Sequence, residues 1–318
     1  MTITDIFDAK KNLQGIARRT PLIKSTITDK CQLYLKPENL QVTGSFKIRG
    51  AYNKISRLTP AEKQAGIIAC SAGNHAQGVA LSAQKLGIRA VICMPASAPQ
   101  VKVDSTRKMG AEIVLVPGTF DDAYQKALEL QKEHGYTFIH PFDDEAVIAG
   151  QGTIGLEIME DIPDADIIIC PVGGGGLIAG IAFAAKTINP KVKIYGVQSA
   201  GAPSMYASMA GGYITKLSKM NTIADGIAVG QVGWLTFNFA KEYVDDILVV
   251  TDGKIAKAIK ALITSEKLVA EGAGATPLAA LLADYIPDID KEKKVVCVVS
   301  GGNIDIPLLA RLTTWELG

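Results

Sequence analysis

Short runs of β-branched and aliphatic residues recur along the chain and read as strands. They are QLYLK (32–36), GIIACS (66–71), AVICMP (90–95), EIVLVP (112–117), TFIHP (137–141), DIIICPV (166–172), KIYGVQ (193–198), DILVV (246–250) and VVCVVS (295–300). Between most of them apolar residues return at helical spacing, as in DDAYQKALELQKEHG and DGKIAKAIKALITSEK. Strands that alternate with helices predict parallel sheets covered on both faces. Nine strands suit two sheets better than one. The expected fold class is therefore α/β, with two open twisted lobes and a cleft between them. Residues 200–233, rich in Gly, Ser, Met and Ala, form the least regular stretch. It reads as a loop region at a site or as a plain connection.

Composition narrows the functional classes. The 318 residues are 48% hydrophobic and 20% charged, enough for a sizeable core. Lys plus Arg total 33 against 32 acids, a net charge of +1. That balance speaks against a nucleic-acid or membrane-surface role resting on bulk charge. No apolar run approaches the ~20 residues that span a bilayer. The start, MTITDIFDAKK, lacks the basic and apolar segments of a secretory signal. The five cysteines, Cys31, Cys70, Cys93, Cys170 and Cys297, are scattered without a C-x-x-C pair. They read as buried reduced thiols in a cytoplasmic protein, and no metal site is expected.

Three strand ends carry glycine. In CSAGNHAQGVALSAQKLG (70–87) a turn precedes a helix, so Asn74 and His75 sit at a helix start beyond a parallel strand. Ligands of open α/β sheets bind there, and such a turn suits a carboxylate. An ordinary capping turn with Asn74 as N-cap explains the same residues. In CPVGGGGLIAGIAFAAK (170–186) strand, four glycines and helix outline a phosphate cradle. No Lys-Ser or Lys-Thr pair follows, so it is not a Walker A loop. No acid follows about twenty residues on, which weakens a dinucleotide reading. A phosphate monoester fits better. The third, VVSGGNIDI (298–306), ends another buried strand at Ser300.

Those loops give meaning to Lys47 in TGSFKIRGAYNK (43–54). A cation at the first turn of a helix meets the positive end of the macrodipole. An amine placed there is wanted uncharged, as a nucleophile. An amine, a monoester cradle and polar strand ends are the parts that hold pyridoxal 5′-phosphate, with Lys47 forming the imine. Taken singly, Lys47 also reads as a solvated helix lysine, and the loops as a mononucleotide site without chemistry.

The motifs GSFKIRGA, SAGNHAQG, AGQGTIGLEI, GGGGLIAGIA, ADG (224–226), EGAGA (271–275) and SGGN (300–303) stand in one order over most of the chain. In them the sequence resembles the fold-type II pyridoxal-phosphate enzymes, of the tryptophan synthase β-like architecture. Within these it is similar to the threonine/serine dehydratase and serine racemase group, and most of all to the short catabolic threonine dehydratases. The resemblance implies a large cofactor-binding domain of residues 1–53 and 143–318, with a small domain of residues 54–142 inserted. It implies that Lys47 carries the imine with Phe46 beside the ring, and that Asn74 bonds the pyridine 3′-oxygen. Gly173, Gly174, Gly175, Gly176 and Leu177 would hold the phosphate, and Ser300 would face the pyridine nitrogen. Ser71, Asn74 and His75 would receive the substrate carboxylate. The implied reaction is β-elimination: L-threonine to 2-oxobutanoate and ammonia, and L-serine to pyruvate. A homodimer or homotetramer is implied as well.

Departures from the group carry information. Racemases of the group place a serine just before the glycine of GNH as a second base; here it is Ala72. The stretch in which some relatives bind a divalent cation reads GVQSAGAPSM, with Gln198 and Ser204 and no carboxylate. Asp121-Asp122 and Asp143-Asp144 read as helix caps. A serine racemase or a 3-hydroxyaspartate dehydratase is the alternative to the threonine dehydratase.

Overall fold

The computed structural model describes residues 1–314. It contains ten strands: β1 (Ile23–Lys24), β2 (Gln32–Pro37), β3 (Ile67–Cys70), β4 (Ala90–Pro95), β5 (Glu112–Val116), β6 (Thr137–Phe138), β7 (Ile167–Pro171), β8 (Lys193–Ser199), β9 (Asp246–Val250) and β10 (Lys294–Val299). Six form one sheet in the order β1-β2-β10-β7-β8-β9, and four form another in the order β5-β4-β3-β6. Every pairing is parallel except β1 with β2. The two-lobed α/β expectation holds. The strand the sequence reading missed is β1, a two-residue antiparallel edge too short to show a period.

The central strands are apolar on both faces because helices cover both. β7 is buried throughout, and Val295–Val299 of β10 are buried as well. Their register, Val295 with Ile167 and Cys297 with Ile169, aligns the two strand ends that carry the glycine motifs. All five cysteines are buried and unpaired, four of them on strands. Within 200–233, a helix at Ser204–Gly211 and a single turn at Asp225–Ile227 interrupt an otherwise irregular path.

The helix of greatest consequence is Lys47–Ser56. It crosses the helix Glu145–Asp161, whose residues from Val147 through Met159 are all buried. At the crossing, a Cβ on Gly150 would collide with the Arg49 carbonyl. A glycine is needed there for the helix backbones to touch. No helix among the described residues is long and apolar enough to cross a membrane.

Candidate active site

Lys47 is the first residue of its helix, and its backbone approach is laced to the end of β10. The Phe46 N–H donates to the Ser300 carbonyl at 3.1 Å, Ser45 pairs with Gly301 in an antiparallel bridge, and the Gly302 N–H donates to the Gly44 carbonyl at 2.9 Å. Two glycine-bearing loops far apart in sequence are thus one structural unit. The Lys47 amine lies 5.2 Å from the centre of the Phe46 ring and donates to the Pro141 carbonyl at 2.9 Å. Its pKa is pushed down to about 8, chiefly because burial disfavours the ammonium; Glu271 opposes the shift. The helix end, which the sequence put forward for this lysine, is not the leading cause; desolvation is.

The four-glycine loop joins β7 to the helix Gly176–Ile188. Gly175 caps that helix with φ +99, a conformation that side chains rarely adopt, and its Cβ would strike Met205 and Thr236. A Cβ on Gly174 would enter the Phe142 ring. The loop is held from its carbonyl side: the Thr236 hydroxyl and the Gly233 N–H both donate to the Gly174 carbonyl. By contrast, the main-chain N–H groups of Gly173, Gly174, Gly175, Gly176 and Leu177 meet no protein acceptor among the described residues. Five unused donors at the positive head of a thirteen-residue helix fit a phosphate monoester.

Ser71, Asn74 and His75 follow β3. The helix runs Asn74–Leu86 with Gly73 as its N-cap, so Asn74 is the first helical residue and not the cap. The Gly73 N–H donates to the Ser71 hydroxyl at 3.2 Å, which tightens the turn. The Asn74 amide is held at both ends: its Nδ2 donates to Glu271 Oε1 at 2.7 Å, and its Oδ1 accepts from Asn303 Nδ2 at 2.8 Å. Asn303 also donates to the Thr43 carbonyl at 2.8 Å, which ties this network to the Lys47 loop. The His75 imidazole is buried and lies 2.9 Å from the Ile139 carbonyl through Nε2. Burial, with Lys47 nearby, pushes its pKa down to about 3, so the ring is neutral and committed away from the turn. Only its main chain is left to meet a ligand at the helix start.

Sequence reasoning missed Glu271 and Asn303 as site residues, although both stood in quoted motifs. Glu271 is buried without a cation bonded to it, and its carboxyl pKa is pushed up to about 7 by burial and by Asp225. A carboxylate in EGAGA or an amide in SGGN carries no local signal of that kind. The acidic pairs are partly corrected. Asp122 closes a capping box with Thr119, and Asp144 caps the helix Glu145–Asp161. Asp143 instead reaches across to the helix Trp234–Tyr243, accepting from the N–H groups of Trp234, Leu235 and Thr236 at 2.9–3.2 Å. Gln198 Nε2 donates to the Val172 carbonyl at 3.1 Å, and its Oε1 accepts from the Tyr206 N–H at 2.9 Å. Among the described residues no cluster of His, Cys, Asp and Glu is arranged to hold a metal ion.

An amine of lowered pKa beside an anion cradle is what the comparisons bear on. The sequence matches the family described as pyridoxal-phosphate dependent enzyme over residues 13–301. The chain belongs to the pyridoxal-phosphate dependent enzymes. Its two parallel-sheet lobes are those of fold type II. It is 50% identical to an L-threonine ammonia-lyase of Thermotoga maritima, over 98% of this chain and 78% of the relative. It is 48% identical to a catabolic L-threonine dehydratase of Escherichia coli K12, over 98% of this chain and 96% of the relative. Among solved structures, threonine deaminase isoform 2 of Solanum lycopersicum superposes with a TM-score of 0.93 at 40% identity, over 99% of this chain and 87% of that one. Maize serine racemase also superposes with a TM-score of 0.93, at 38% identity, over 98% of this chain and 96% of that one.

Proposed function

We propose that this enzyme is an ammonia-lyase that eliminates water from L-threonine, yielding 2-oxobutanoate and ammonia, and acts in the same way on L-serine. The observation that carries the reading is the Lys47 amine, its pKa pushed down to about 8, joined through Pro141 and Phe142 to the loop that carries five unused main-chain N–H groups. The relatives named for this activity, at about half identity over nearly the whole chain, support the choice of substrate.

The pyridoxal phosphate of the family, when bound, supplies the electron sink that makes the substrate's α proton removable. The chain's own residues do the rest. Gly173, Gly174, Gly175, Gly176 and Leu177 would hold the phosphate through main-chain N–H, and Phe46 would pack beside the ring. Asn74 has its orientation set by Glu271 at its Nδ2 and Asn303 at its Oδ1, so its second amide hydrogen is what it would present to the 3′-oxygen. Ser300 would meet the ring nitrogen without adding a charge. Ser71 and the main chain of Asn74 and His75 receive the substrate carboxylate at a helix start. Lys47 Nζ takes the α proton, which an amine of pKa about 8 does readily near neutral pH. Residues 54–142 are taken as the small domain, and the working enzyme as a cytoplasmic homodimer or homotetramer.

The racemase reading is the weaker one because Ala72 has no side-chain proton to exchange and so cannot serve as the second base that a racemase needs. The test is a panel of hydroxy amino acids with release of 2-oxo acid and ammonia, and chiral chromatography of the serine reaction. Fast release from L-threonine and L-serine with little D-serine is expected. D-serine at a rate comparable to pyruvate would replace the lyase with a racemase.

A further inference from the structure

The residues between β6 and the helix Glu145–Asp161 form a strap that touches His75, Lys47, the glycine loop and the helix Trp234–Tyr243. The Ile139 carbonyl meets His75, the Pro141 carbonyl accepts from the Lys47 amine, the Phe142 ring packs where Gly174 has no Cβ, and Asp143 caps the helix Trp234–Tyr243. At the centre of the strap stands His140, for which nothing above has a role. Its Nδ1 accepts from the Asp143 N–H at 2.7 Å and from the Phe142 N–H at 3.3 Å. Two donors on Nδ1 require that nitrogen to be unprotonated, so the ring proton sits on Nε2. The Phe142 ring stands edge-on against the imidazole, 4.6 Å between centres, and Phe138 flanks it at 6.4 Å. Asp143, Asp144 and Lys47 are the charged groups whose fields reach it.

The geometry points to His140 as a positioning residue: by gathering the Phe142 and Asp143 N–H groups onto Nδ1, it folds the strap so that the Pro141 carbonyl faces the Lys47 amine and Phe142 backs the glycine loop. The inference rests on Lys47 being the amine that engages the cofactor. His140 touches no reacting atom; it acts through Pro141 and Phe142. A carbonyl that accepts from Lys47 favours its ammonium form. Losing that contact lowers the lysine pKa further, and a displaced Phe142 loosens the phosphate loop.

Three variants and one measurement on the unaltered protein test this. In H140N the amide oxygen can stand where Nδ1 stands; in H140L nothing accepts. Titration of the apoprotein with pyridoxal phosphate should show H140L weaker by about tenfold or more, with H140N within about threefold of the parent. The pH dependence of Lys47 modification by an amine-reactive reagent should place its pKa near about 8 in the parent and in H140N, and lower in H140L. A fall in melting temperature with both readings unchanged would make His140 merely structural and overturn the proposal. Nitrogen NMR of the histidine-labelled protein covers the case in which H140L does not fold. Nδ1 of His140 should be unprotonated at neutral pH, and a proton found there would overturn the proposal. K47A is the control for the underlying reading: if it still binds and turns over normally, the site itself is wrong, whatever His140 does.

Discussion

Lys36 and Lys47 are two recessed lysines with opposite surroundings. Lys36, on β2, is wholly buried and donates to Glu157 Oε2 at 2.6 Å and to the Thr20 carbonyl at 2.7 Å. Arg49 completes the cluster, bonded to Glu38 and Glu157 at 2.7–3.0 Å. Two cations and two anions close on themselves there, and the cluster joins β2, the Lys47 helix and the helix Glu145–Asp161. Lys47 sits two residues before Arg49 on the same helix and has no carboxylate bonded to it, only the Pro141 carbonyl. Burial lowers the pKa of both lysines, but at Lys36 the adjoining Glu157 works against the shift. A buried amine with a bonded counter-charge stays a cation and holds elements together. One without it is poised to lose its proton, which is what a base or nucleophile needs.

Breaking the reactive side of the pair should have the larger effect. K47A is expected to lower ammonia release by about 10⁴-fold or more, since on the proposed function the base and the covalent anchor go together. Its circular dichroism and melting temperature should stay close to the parent, because no ion pair is lost. Near-normal turnover would remove Lys47 from the mechanism.

On the structural side, E157A leaves the buried Lys36 without a bonded carboxylate and takes one of the two that hold Arg49, which keeps Glu38. A cost of about 3–5 kcal/mol in urea unfolding of the apoprotein is expected. A cost below about 1 kcal/mol would mean that water reaches the cluster and that the contrast with Lys47 is one of degree.

The smallest effect sharpens the comparison at Glu271, the carboxyl whose field reaches Lys47 without a bond. With its pKa raised from 4.5 to about 7, the folded state takes up this proton first, so stability rises as pH falls from about 7 to 4.5. His75 runs the other way. Its pKa falls from 6.5 to about 3, so stability is lost as pH falls below 6.5. The two slopes oppose each other between 4.5 and 6.5. In E271Q the His75 slope is uncovered, and the apoprotein should lose stability on acidification by up to about 1.4 kcal/mol per pH unit more than the parent. Parallel curves for the two proteins would show that Glu271 holds no proton near neutrality.

Lys47, the glycine loop and the polar residues after β3 were legible because each stands in a short motif whose neighbours signal its use. A glycine run after an apolar strand and an amine at a helix start are local statements. The Asn74 network was half legible: the asparagine showed, but its partners Glu271 and Asn303 lie about two hundred positions away in sequence and looked like ordinary polar residues. Asp143 was read correctly as a cap and assigned to the wrong helix, since its own helix start was the nearer candidate. Nothing in KPENL or GLEIM betrays that Lys36, Glu38 and Glu157 meet around Arg49.

By itself the sequence determined the alternation of strands and helices, the two sheets, and the loops where backbone N–H groups and an amine could converge. These follow from periods and from residue types that only one local conformation tolerates. The tertiary structure alone decided which charges are paired and which are not. Proton affinity depends on desolvation and on the bonded neighbour, and both are supplied by elements that meet only when the lobes fold.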